Sequence, residues 1–139
     1  MFNPNTAVKQ ISEHPAANNI VSVITRILLA YIFIVAGWGK LSAYAATAGY
    51  MESMGVPGAL LPLTILVELG GGLALLFGFQ ARLAALGLAV FSLITAFIFH
   101  SGAEDGINFM KNLAMSGGLL FLMLHGAGKV SIDQLLEKK

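Results

Sequence analysis

The chain contains no cysteine among its 139 residues, which excludes disulfides, thiolate metal ligands and a cysteine nucleophile. Charge is scarce too: 11% of residues are charged, and the formal net charge of +1 supplies no basic footprint for nucleic acid. There is no glycine-rich nucleotide loop, serine elbow, CxxC or haem motif. Neither HExxH nor a close His/Asp/Glu cluster points to a metal, so no metal ligand is assigned. Residues 1–19 hold no apolar run of signal-peptide type, and the first hydrophobic segment is expected to remain as a helix.

Apolar residues are abundant. They make up 57% of the chain, and the mean hydropathy of +0.81 indicates a membrane protein. Four apolar runs, at about 20–39, 60–79, 83–100 and 109–126, approach the roughly 20 residues that a helix needs to cross a bilayer. The predicted architecture is therefore an all-α, four-transmembrane-helix bundle with N and C termini on the same side. A polar N-terminal tail (1–19) precedes the membrane domain (20–127), and a short C-terminal tail (128–139) follows it. Asn3-Pro4 and His14-Pro15 disfavour one continuous helix in the first tail.

Arg26, Ala30, Phe33, Gly37 and Lys40 recur at helical spacing and define one face of the first span. At about 1.5 Å per residue, Arg26 and Lys40 lie about 21 Å apart and belong to different polar regions. Residues 42–59 form a long connection that permits a surface helix before the turn at Gly55, Val56, Pro57 and Gly58. That connection reads as either an interfacial anchor, with Trp38, Tyr44 and Tyr50 nearby, or a substrate lid.

The second span carries Glu68 beside Gly70, Gly71 and Gly72. A charged residue at the centre of a spanning helix costs roughly 2.5–3.5 kcal/mol on insertion scales, so Glu68 needs a partner. It lies about 9 Å along the helix from Pro62, within reach of Lys40 or Lys111 in a packed bundle. Two roles stay open: an ion pair that holds the helices in register, or a proton or ligand site using that pair. His100 and Glu68 are the candidates for proton exchange, and Lys40, Lys111 and Asn112 for ligand binding. Asn108 joins this outer group, while Arg26 and His125 are expected near the other face as structural polar positions.

Even span number puts Lys9, Arg26, Arg82, Lys129, Lys138 and Lys139 on one side, against Lys40 and Lys111 on the other. In a bacterial-type inner membrane the positive-inside rule then makes the termini cytoplasmic.

Taken in order, these residues resemble the DoxX family of small four-helix membrane proteins. The match runs from Arg26 through GWGKL at 37–41, Gly55-Val56-Pro57, and Glu68 with its glycine triplet. It continues through Gly78-Phe79, Arg82, His100, NFMKN at 108–112 and GAGKVSID at 126–133. The resemblance implies association with redox systems, in some relatives with quinone as acceptor, and with oxidative-stress or sulfur-transfer proteins in others. Without cysteine, sulfur transfer would fall to a partner protein. The leading expectation is thus a membrane subunit of a redox system, an oxidoreductase-complex component that takes quinone as its one candidate cofactor. A noncatalytic scaffold or partner-binding subunit is the alternative, and a small-molecule transporter the third. Membrane lipids, a redox or sulfur-transfer protein and a second copy of the chain are the expected partners, and nucleic acid is not among them.

Overall fold

The computed structural model describes residues 1–139, and all of its regular structure is helical. Helix α1 (Pro4–Glu13) starts at a proline, with the Asn3 side chain accepting from the Asn5 N–H at 3.0 Å. His14 is extended, at φ −65° and ψ 127°, because the following proline disfavours helical backbone at that position. Helix α2 (Pro15–Ser42) then begins at Pro15 and runs for 28 residues, about 42 Å at the usual rise. Its start precedes the apolar run because a proline at the first helical position sacrifices no hydrogen bond.

Helix α3 (Tyr44–Ser53) lies in the long connection, followed by a 3-10 turn (Gly58–Leu60). The second span is built in pieces: α4 (Leu61–Ile65), a π turn (Leu66–Gly70) and α5 (Gly71–Phe77). Helices α6 (Ala81–Phe99) and α7 (Gly106–His125) supply the remaining spans, and α8 (Ile132–Glu137) occupies the C-terminal tail. Four helical stretches are long and apolar enough to cross a membrane, Pro15–Ser42, Gly58–Phe77, Ala81–Phe99 and Ala103–His125.

Only 22 of the 139 residues are buried, while Leu28, Tyr31, Phe97, Phe121 and Leu124 point outward. So much exposed apolar surface is stable only against lipid. The core is correspondingly narrow, with Ala30, Ala85 and Ala89 letting helices close around Phe33, Leu88 and Leu119. The buried residues of α2 are Arg26, Ala30, Phe33 and Gly37, one stripe at helical spacing.

Two helix pairs dominate, α2 with the π turn and α5, and α6 with α7. The first is a backbone-to-backbone approach. A Cβ added at Gly37 would lie 2.9 Å from both Cβ and N of Leu69, so any side chain there would push α2 off the π turn. Gly39 has nothing within 4 Å of the same construction. Gly37→Ala should therefore lower stability by about 1–3 kcal/mol, whereas Gly39→Ala should leave it unchanged or slightly raised. Thermal unfolding of the two purified variants in one detergent checks this, and equal midpoints would refute the close approach.

Candidate functional site

Lys40 sits in the last turn of α2, about one turn beyond Gly37, and Glu68 sits in the π turn next to Leu69. The contact between those glycine and leucine backbones carries the two charged side chains together. Lys40 Nζ is 2.7 Å from Glu68 Oε2, with the Glu68 side chain 7% exposed and that of Lys40 28%. The lysine thus brings its charge from the interface to a carboxylate that hydrocarbon alone would not tolerate.

This pair forms part of the wall of a cavity of about 580 Å³. Phe33, Val67, Phe91 and Met115 give it an apolar lining, into which Glu68, Lys40, Ser92, His100, Lys111 and Asn112 bring polarity. Five of the six residues expected at the outer group, all but Asn108, therefore line one space, and the volume suits a small ligand. Thr47, Tyr50 and Met51 of α3 also line it, and the Tyr50 ring stacks on Phe99 with centroids 5.7 Å apart.

His100 ends α6, and its Nδ1 pairs with the Asp105 carboxylate across the short connection to α7. The other Asp105 oxygen accepts from Asn108 Nδ2, and Asn108 Oδ1 accepts from Lys111 Nζ at 2.9 Å. A continuous polar chain thus runs from His100 to Lys111. Deeper in the bundle, Asn112 is 7% exposed and its carbonyl accepts from Ser116 Oγ at 2.8 Å.

At the other end Arg26 and His125 do not meet. Arg26 donates to the carbonyls of Leu76 (3.0 Å), Leu75 (3.4 Å) and Val130, so it closes the end of α5 and ties it to the C-terminal segment. Gly78 follows in the left-handed conformation at φ 66°, with Ser131 and Arg26 against it where a Cβ would stand. Asp133 accepts from the N–H groups of Gln80 (2.6 Å) and Ala81 (2.8 Å), which satisfies the start of α6. Arg82 does the converse for α7 by donating to Met123 O at 2.8 Å and to Leu124 O. His125 is exposed and packs on Phe121, with ring centroids 4.3 Å apart. The two expected structural positions thus belong to separate contacts, because four residues beyond α7 intervene between His125 and the carbonyl of Val130 that Arg26 reaches.

The family model of DoxX matches residues 21–101, more than half of the chain. The chain belongs to the DoxX family. It is 58% identical over 120 residues to the inner membrane protein YqjF of Escherichia coli K12, a match covering 84% of this chain and 92% of that protein. It is also 32% identical over 129 residues to the inner membrane protein YphA of the same organism, covering 86% and 92% respectively. No solved structure shows a significant match. With four apolar spans, this DoxX chain is a multi-pass protein of the inner membrane, the location given in the names of both relatives. The matched residues include Arg26, Lys40, Glu68, Ser92 and His100, while Lys111 and Asn112 lie in the last span beyond the match.

Two residues escape a reading of the sequence. Asp105 reads as part of a wet turn, although its spacing five residues after His100 and three before Asn108 was the available signal. Ser92 reads as one small residue on a packing face, and only the fold places it on the cavity.

Removing Lys40 alone leaves the Glu68 charge buried without its partner. Lys40→Met should destabilise the protein by about 3 kcal/mol, at the low end for buried pairs because Lys40 is partly exposed. The double variant Lys40→Met/Glu68→Leu should recover most of that loss. Unfolding midpoints of the singles and the double check the coupling, and additive losses would contradict it.

Proposed function

We propose that this DoxX protein is the membrane subunit of a redox system and holds a quinone-class ligand in the cavity lined by Lys40 and Glu68. The observation that carries the reading is the placement of a charged pair on the wall of a largely apolar, ligand-sized cavity. The six-to-two distribution of basic residues supports cytoplasmic termini by the positive-inside rule, an orientation in which the cavity faces the outer half of the bilayer.

The residues suit such a ligand. When bound, a quinone supplies two-electron, two-proton chemistry, and the protein's part is to seat it and handle protons. The Lys40 ammonium can donate to a headgroup oxygen from its position beside Glu68, and Lys111 offers a second donor at the outer rim. The Glu68 carboxylate can hold or release a proton within the cavity. His100 engages Asp105 through Nδ1, which leaves Nε2 for proton exchange with the aqueous side. Electrons must come from a partner protein, and any sulfur transfer from a partner carrying the thiol.

A second reading has its own support. Gly37 and Gly72 both bring α2 against the second span so closely that an added Cβ would lie 2.9 Å from Leu69 and Ile34. The Lys40–Glu68 pair could then pin the register of a scaffold without touching a ligand.

One experiment separates the two. Quinone binding is measured on detergent-purified protein and on Glu68→Gln and Lys40→Met variants shown to be folded. Saturable binding weakened about tenfold or more by either substitution supports the quinone site. No binding, or equal binding by all three, removes it and leaves the pair with a packing role.

A further inference from the structure

Ser92 carries a hydroxyl that the fold itself does not use. It is 1% exposed, it lines the cavity, and its Oγ has no hydrogen-bond partner. A helical serine or threonine ordinarily satisfies its hydroxyl on a carbonyl of the preceding turn. The threonines on the same cavity do so: Thr47 on Ala43 O at 2.9 Å, Thr64 on Leu60 O at 3.2 Å and Thr95 on Ser92 O at 3.1 Å. Ser116, buried between α6 and α7, donates to Asn112 O at 2.8 Å with Ala89 O 3.2 Å away. Burying an unpaired hydroxyl costs more than replacing it by a methyl group, so its presence calls for something outside the chain to bond it.

Its place in the fold says what that partner is. Lys40 and Glu68 reach the cavity from α2 and the π turn, whereas Ser92 and Asn112 reach it from α6 and α7. Those are the two dominant helix pairs of the bundle, so polar groups reach the mostly apolar cavity from two walls, one supplied by each pair. A single-headed amphiphile such as a fatty acid would satisfy one wall and leave the other bare. A ring bearing oxygens on two edges would satisfy both.

We propose that Ser92 is a ligand-contacting, specificity-determining residue which, with Asn112, binds a second oxygen of a flat ring whose first oxygen lies at the Lys40–Glu68 pair. This rests on the cavity being a ligand site, and it adds the ligand's shape and the residue that selects it.

The test uses the full chain in detergent, with 2-decyl-1,4-benzoquinone and decylbenzene as probes and calorimetry as the readout. Ser92→Ala should weaken benzoquinone binding roughly five- to tenfold and leave decylbenzene binding unchanged. The ligand-free Ser92→Ala protein should unfold at the same temperature as the unsubstituted one or higher, since it loses an unsatisfied group. Equal benzoquinone affinity, a matching loss for decylbenzene, or a lower unfolding temperature without ligand would each overturn the assignment to Ser92 while leaving the quinone site standing. Failure of the unsubstituted protein to bind the benzoquinone would instead strike the quinone reading, and this inference with it.

Discussion

A carboxylate inside hydrocarbon has to find a cation or a proton, and in this protein Glu68 finds Lys40 at 2.7 Å. The requirement reaches well beyond the two side chains. Lys40 can arrive only because α2 lies against the π turn with no side chain between them at Gly37. The π turn, in turn, puts an extra residue into the second span where the carboxylate is needed, a departure from α geometry that recurs at functional sites. Packing strength and polar chemistry therefore depend on the same contact. The cavity beside it inherits a charged wall in a mostly apolar space.

The far end of the bundle meets a different demand, the orphaned backbone groups at helix ends that lipid cannot satisfy. Arg26 takes carbonyls at the end of α5, Arg82 those at the end of α7, and Asp133 the N–H groups at the start of α6. Each sign suits the helix terminus that it faces. Because Asp133 and Val130 come from the segment after the last span, the C-terminal tail is part of the bundle's closure. The GAGKVSID run makes physical sense in this light. Gly126 and Gly128 adopt positive φ, which steers the chain back so that Asp133 reaches α6.

Much of this was legible in the sequence because hydrophobic length and helical spacing are local. Four apolar runs announce four helices, and Arg26, Ala30, Phe33 and Gly37 announce a buried stripe through their spacing alone. The lone acid in the second span was legible for the same reason, since its cost is set by the medium. What could not be read depends on where helices meet. An added residue inside a helix, as in the π turn, leaves no mark in composition. Arg26 and His125 share an end of the bundle, but nothing local says that one caps α5 while the other packs on Phe121. By sequence Ser92 is one more small residue on a packing face, which is what most serines in spanning helices are. Its unpaired hydroxyl exists only once α6 has been placed beside the cavity.

The proposed occupation of the space beside the Lys40–Glu68 pair by a ligand is tested most directly by photoaffinity labelling with an azido-quinone in native membranes, mapped by mass spectrometry. Labels should fall on cavity residues such as Phe91, Met115 or Tyr50 and be displaced by excess unmodified quinone. Labels confined to outward residues such as Tyr31 or Phe121, or undiminished by competitor, would contradict the claim.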